Sequence, residues 1–228
     1  MKTFSKFVCS LAVAALFSAT QASANILAWD VTGTGSPLNA TLAATTIDSG
    51  IANTPTLSRV GVLGVAAGAA YNNNNWNNAA TFNEGNFYVT FSLVVGASPI
   101  TLDSLDYAIN GSNTAPASGR WGFSINGGSF TTFDFTITNP QPAANSSINL
   151  GSAVAGAGDT VEFRWWQFGT VNVTGGTAAT TGTARIANSA TVGNDLQLNY
   201  SIIPEPSTVM LIGVGLVGLL AFVRRRHA

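Results

Sequence analysis

The chain predicts an all-β fold, an antiparallel β-sandwich, and three observations carry that prediction. Between positions 25 and 203 apolar residues recur with period two, not 3.6. The alternating runs are short and are separated by Gly, Asn and Pro. No stretch in that interval has the pattern of an amphipathic helix, although Val60 to Ala70, rich in Gly and Ala, is ambiguous. Short strands with such punctuation build sandwiches or barrels.

The runs can be taken in chain order. Phe87, Val89, Phe91 and Leu93 point one way, with Tyr88, Thr90 and Ser92 between them. Trp121, Phe123 and Ile125 alternate next, followed by Phe133, Phe135 and Ile137. Asn126-Gly127-Gly128 lies between those two runs and has the composition of a hairpin turn. Val161, Phe163 and Trp165 alternate with Glu162, Arg164 and Trp166. Leu196, Leu198, Tyr200 and Ile202 close the series. Successive side chains of a strand go to opposite faces, so each run is a half-buried strand. Two sheets would share a core of Phe91, Trp121, Phe123, Phe135, Phe163, Trp165, Ile186 and Leu198.

Both ends of the chain differ from this middle. Lys2 and Lys6 precede an apolar segment from Phe7 to Phe17, and Ala22-Ser23-Ala24 supplies small residues. That order is a secretory signal peptide, with cleavage by signal peptidase expected after Ala24. Residues 1–24 are therefore set apart from the fold. Cys9 is the one cysteine and lies within this segment, so the mature body has no thiol, no disulfide and no Cys ligand for a metal. At the other end, Pro204-Glu205-Pro206 precedes an uncharged run from Ser207 to Val223, and Arg224-Arg225-Arg226 follows. As a helix the run measures roughly 26 Å, close to a hydrocarbon layer of roughly 30 Å. The arginines would mark its cytoplasmic end. Gly213, Gly215 and Gly218 match a dinucleotide fingerprint, but the strand, helix and acidic residue that the motif needs are missing.

This tail resembles the PEP-CTERM sorting signal of Gram-negative bacteria. The matching residues are Pro204, Glu205, Pro206 and Ser207, the Gly- and Leu-rich span Leu211 to Ala221, and the terminal Arg cluster. The resemblance implies processing near the triplet by an exosortase, a membrane transpeptidase-like enzyme. It implies transient residence in the inner membrane and a final place at the cell surface or in the extracellular polymer matrix. The expected organisation is then signal peptide 1–24, exported body 25–203 and sorting signal 204–228, with a membrane helix over 207–223.

The body also resembles the jelly-roll modules that stand upstream of such tails. The residues concerned are Leu102 to Ile109, Arg120-Trp121-Gly122-Phe123-Ser124, Val161-Glu162-Phe163-Arg164, Gly182 to Asn188 and the last strand before Pro204. The resemblance covers roughly residues 71 to 202 and implies a lectin-like or galactose-binding-like sandwich without a known catalytic set. The first fifty residues of the body fit it poorly.

Charge and composition exclude several function classes. The body keeps four cations, Arg59, Arg120, Arg164 and Arg185, against nine carboxylates, a net charge near −5. It cannot present the cationic face that displaces counterions from nucleic acid. His227 lies in the tail, so the body has neither His nor Cys. Ser-His-Asp and Cys-His catalysis are excluded, and no zinc site is expected. Glu84 and Glu162 are its two glutamates. A glycosidase would need two carboxyls facing one bond. A surface ion pair between Glu162 and Arg164, two positions apart on one face, is the simpler role. Asp103 and Asp106 sit on a strand-like segment and lack the spacing of a calcium loop.

Two tryptophans are candidate ligand contacts. Trp76 lies in Tyr71-Asn72-Asn73-Asn74-Asn75-Trp76-Asn77-Asn78, an Asn-rich stretch expected to be a loop. An aromatic face among amides suits a sugar, whose apolar ring face stacks while its hydroxyls bond. Trp166 is the second candidate, because its neighbour Trp165 should face the core. Each has a plainer reading: Trp76 as a buried anchor of its loop, Trp166 as packing against an adjacent edge or loop. N-x-S/T triplets at Asn39, Asn110, Asn145, Asn172 and Asn199 are expected by chance in so Asn- and Thr-rich a chain. The resulting expectation is an exported, non-enzymatic protein without cofactor or metal. Its role would be structural or adhesive, in contact with exopolysaccharide. The alternatives are a specific carbohydrate-binding module and a carboxylate-dependent glycan-active enzyme.

Overall fold

The structure is a computed structural model that describes residues 24–31, 41–66, 70–137, 145–187 and 194–204. The signal segment through Ser23, Glu205, Pro206, the span and the Arg cluster lie outside the described residues. Among those described there is no helix, and residues Ala24–Ile202 form one unit.

Fourteen strands are described. They are β1 (Ala24–Trp29), β2 (Thr41–Ala43), β3 (Thr46–Ile47), β4 (Thr56–Val60), β5 (Leu63–Gly64), β6 (Ala70–Asn74) and β7 (Tyr88–Val94). They continue with β8 (Ile100–Gly111), β9 (Pro116–Ile125), β10 (Thr131–Thr136), β11 (Asn145–Ala155), β12 (Thr160–Asn172), β13 (Ala184–Ala187) and β14 (Leu196–Ile202). One sheet runs β3-β1-β14-β8-β13-β6-β5, with β11 also paired to β8. The other runs β10-β9-β12-β7-β4-β2. All paired strands are antiparallel. β11 and β14 pair the same stretch of β8, so they flank it on opposite sides and β11 is an edge.

The alternation places the core between the sheets. Phe91, Phe163, Trp121 and Trp165 from one sheet join Leu27, Trp29, Leu105, Leu198 and Ile186 from the other in one buried cluster. Rings meet across it: Trp29 and Phe91 have centroids 4.6 Å apart, and Tyr107 stands 5.9 Å from Trp121. The core expected from the alternation is present, with Phe135 at its margin. Each large apolar side chain buried this way contributes on the order of 1.5–3 kcal/mol.

Local details follow from residue type. Asn126 (φ 52°) and Gly127 (φ 70°) take up the left-handed pair that a tight hairpin requires, and Gly128 N–H donates to Ile125 O at 3.0 Å. A β-bulge on β8 between Leu102 and Ser104 shifts its alternation by one residue. Leu102 and Leu105 both reach the core as a result, while Asp103 and Asp106 bond to Ser201 and Asn199 of β14.

Two expectations need correction. The strand starts at Tyr88, not Phe87, because Phe87 has φ 60°, although its side chain packs against the same core as Val89, Phe91 and Leu93. The first fifty residues of the body are integral to the sandwich: β1 to β6 supply strands to both sheets, and Trp29 is fully buried. Their strands are short and their partners distant in sequence, so the period-two signal is weak there.

Candidate functional site

The Asn-rich stretch is not a loop throughout. Residues 70–74 form β6, and Asn72 and Asn73 are buried. Arg59 of the opposite sheet makes the burial of Asn73 possible, since burying an amide without partners is costly. Its Nε donates to Asn73 Oδ1 at 2.5 Å and its Nη2 to Asn72 O at 3.3 Å, and its guanidinium lies 3.8 Å from the Tyr71 ring centroid. Burial lowers the Arg59 pKa and pushes the Tyr71 phenol up to about 12.

Trp76 is corrected as a ligand contact. It is 2% exposed, its indole N–H donates to Asn73 O at 2.9 Å, and its ring lies 4.7 Å from Trp165. Trp165 in turn stacks toward Trp121 at 6.1 Å. Trp76 is therefore part of the aromatic core, and the plainer reading of it is the one the geometry supports.

Trp166 requires the same correction for a different reason. It points to the outer face of the six-stranded sheet, away from the main core, yet it is 1% exposed. Phe82 and Phe130 meet it edge-on, each 5.4 Å away, and Tyr88 lies 6.1 Å away. Its indole N–H donates to Glu84 O at 3.2 Å. The 79–87 loop thus covers the ring. Gly122 of the neighbouring strand leaves room beneath it, since a Cβ there would come within 3.0 Å of the indole.

Around this covered tryptophan the outer face forms a layer of guanidinium groups and rings. Arg164 lies 4.3 Å from the Tyr88 centroid and 4.5 Å from that of Phe130. Arg120 lies 4.4 Å from Phe82 and 5.5 Å from Phe168. Each arginine also holds a carboxylate through two nitrogens. Arg164 donates to Glu162 at 2.6 and 3.1 Å, and Arg120 to Asp134 at 2.5 and 2.9 Å. The Arg120 hydrogen bonds hold Asp134 below the usual carboxylate range and raise Arg120 itself. The expected Glu162–Arg164 ion pair is thus present, and the Thr90 hydroxyl donates to Phe163 O at 2.7 Å or to Glu162 Oε1 at 3.2 Å.

The Arg120–Asp134 pair escaped the reading by alternation alone. A hairpin centred on Gly127 pairs residues equidistant from it, and these two are direct partners across β9 and β10. Turn position combined with outward parity was the signal.

Both glutamates of the body belong to this layer. Glu162 is held by two nitrogens of Arg164, while Glu84 engages the layer through its carbonyl. The accessible groups are parts of Arg120, Arg164, Phe82, Phe130 and Phe168, a mixture of planar donors and ring edges. Among the described residues no group of three or more His, Asp or Glu could hold a metal ion. Asn110 and Asn172, two of the N-x-S/T positions, are buried.

Pro204 is exposed and follows β14 after the single residue Ile203. Residues 203–226 match the PEP-CTERM protein-sorting motif. No curated protein matches the chain. Solved structures that align with it are distant. A family 35 carbohydrate-binding module from Clostridium thermocellum aligns at 14% identity and TM-score 0.30, over 79% of this chain and 98% of that one. TmCBM61 in complex with β-1,4-galactotriose aligns at 9% identity and TM-score 0.25, over 68% and 72%. The GH26-CBM35 β-(1,4)-mannanase of Podospora anserina aligns at 11% identity and TM-score 0.29, over 80% of this chain. This chain spans only 29% of the mannanase. Through residues 203–226, then, the chain carries the PEP-CTERM protein-sorting motif, which indicates an exported protein of Gram-negative type processed at the membrane.

Proposed function

We propose that the protein is a non-enzymatic β-sandwich delivered by its tail to the cell surface or extracellular matrix, where it serves a structural or adhesive role against exopolysaccharide. The observation that carries this reading is the sorting motif at residues 203–226, joined directly to a sandwich without His or Cys. Export places the body among extracellular polymers. Its uncharged Thr, Ser and Asn surface suits contact with hydroxyl-rich chains. Cell fractionation combined with mass spectrometry of the mature C-terminus tests it. A surface or matrix pool ending near Pro204–Pro206 is expected. An inner-membrane pool with the arginines intact, and no surface pool, would overturn it.

The second reading is a specific carbohydrate-binding module. The arginine and ring layer on the outer sheet face favours it, with Arg120, Arg164, Phe82, Phe130 and Phe168 as the contacting groups in place of Trp76 and Trp166. A glycan-array screen of the mature protein separates the two. Saturable binding to one glycan, lost in an Arg120→Ala/Arg164→Ala variant, supports the module.

A further inference from the structure

Asn25, the first mature residue if the signal is cut after Ala24, and the last strand before the sorting triplet are neighbours in one sheet. β1 and β14 pair antiparallel, with Ala24 opposite Ser201 and Asn25 opposite Tyr200. Both therefore leave the sandwich at the same end. β14 is an interior strand held by β1 on one side and β8 on the other. Its Leu196, Leu198 and Tyr200 are fully buried. The Tyr200 hydroxyl donates to Asp48 O at 3.1 Å or Ser49 O at 2.8 Å, and Ser201 Oγ donates to Asp103 Oδ2 at 2.7 Å. Gly50 packs against Ile202 so closely that a Cβ there would come within 3.2 Å of its side chain. The chain is committed to the fold as far as Ile202.

Only Ile203 separates that strand from the triplet. Two residues of extended chain span at most roughly 7 Å. An enzyme acting at Pro204–Pro206 works that close to the end of the sheet. It could draw substrate residues from upstream only by pulling β14 out from between two partners. That would expose two buried leucines and a buried tyrosine.

The surface at this end is a continuous one. The 48–50 turn joins the next connection through Gly96 N–H to Gly50 O at 2.7 Å, and that connection joins the 156–159 turn through Val95 N–H to Asp159 O at 2.8 Å. Asn126 of the β9–β10 hairpin closes the set by donating to Asp159 Oδ1 at 2.7 Å. Asp48 and Asp159 are the charges on these turns, and none of the body's arginines is among them.

From this arrangement we infer that the exosortase acts on the finished fold, and that the end of the sandwich formed by Asp48–Gly50, Ile202 and Asp159 is the surface it docks against. The inference rests on the sorting reading above and adds the docking surface and the order of events: β14 closes first, cleavage follows, and the mature C-terminus lies at Ile203 or beyond.

The test uses the full-length chain in a host that carries the enzyme, with the processed fraction followed by pulse labelling and intact mass. A four-residue Gly-Ser insertion between Ile203 and Pro204 should slow processing at least tenfold, because it detaches the triplet from its docking surface. Leu198→Asp, which blocks β14, should abolish processing within the lifetime of the labelled chain. Faster or unchanged processing of the insertion variant would overturn the inference, as would normal processing of Leu198→Asp. Replacing Pro204-Glu205-Pro206 by three alanines isolates the underlying reading. If that replacement leaves processing unchanged, the sorting reading fails and the docking inference falls with it; if it stops processing, the first two variants decide.

Discussion

The ring of Phe135 occupies the space that a side chain at Gly119 would take. The two residues are direct partners across β9 and β10, and a Cβ built on Gly119 would collide with the ring. Phe135 is thereby laid against the sheet and reaches Tyr107 of the other sheet, 5.2 Å away. Gly119→Ala should destabilise the protein by about 1–3 kcal/mol, the ordinary cost of overpacking. Phe135→Leu should recover part of that loss in the Gly119→Ala background, since contacting sites are not additive. Thermal melts of the four variants in the cycle check this; an additive cycle would contradict it.

Trp76 and Trp166 should behave as structural residues. Replacing either by Ala is expected to cost about 3–5 kcal/mol, the range for large aromatic side chains in packed sites. Trp166→Ala should also loosen the 79–87 loop, because the indole holds the Glu84 carbonyl. Denaturant titration and limited proteolysis of that loop measure the two effects. Wild-type stability in a Trp166→Ala variant would show that the ring is not packed as described.

Arg120 and Arg164 should contribute to stability through their ring contacts more than through their ion pairs. Their ion pairs are partly solvated: Arg120 and Asp134 side chains are 23% and 66% exposed, Arg164 and Glu162 19% and 26%. Such pairs are worth about 0–1 kcal/mol. With four cation–ring contacts also lost, each worth about 0.5–1 kcal/mol, the double Ala variant should be destabilised by about 2–6 kcal/mol and melt roughly 4–24 °C lower. If the outer face binds glycan, the same variant should lose affinity at least tenfold. Calorimetry against the best array hit reads both quantities on one sample.

Stability should be flat through neutral pH. No histidine lies between residues 25 and 203. Asp134 and Asp159 have lowered pKa values in the fold, Asp134 through Arg120 and Asp159 through Asn126 and the Gly156 N–H. A carboxyl with a depressed folded pKa stabilises above its unfolded value, near about 4, and that contribution drains as the pH falls. Burial pushes Tyr71, Tyr107 and Tyr200 up to about 12. Each keeps its stabilising effect below its unfolded value of about 10 and loses it as the pH rises toward 12. The melting temperature should thus hold steady from about pH 5 to 9 and fall on both sides. Tyrosinate absorbance should rise together with alkaline unfolding; a stability step between about pH 6 and 8, the range of a titrating imidazole, would contradict the account.

Much of this protein was legible because its signals are local. Period-two alternation in β7, β9, β12 and β14 is a property of a few consecutive residues, and strand geometry converts it directly into an inner and an outer face. The Asn126-Gly127-Gly128 hairpin and the Glu162–Arg164 pair depend on spacings within one short stretch. The sorting motif is likewise contiguous. The sequence by itself therefore determined the fold class, most of the core and the address carried by the tail. What only the tertiary structure decided depends on partners far away along the chain. Asn73 is buried because Arg59 reaches it from the other sheet, and Trp166 is hidden because the 79–87 loop and Phe130 close over it. Pattern states which face a side chain takes, but not what later covers that face. The meeting of β1 with β14 has the same origin: loop-closure entropy is offset only when the whole sandwich assembles, so no local signal announces it.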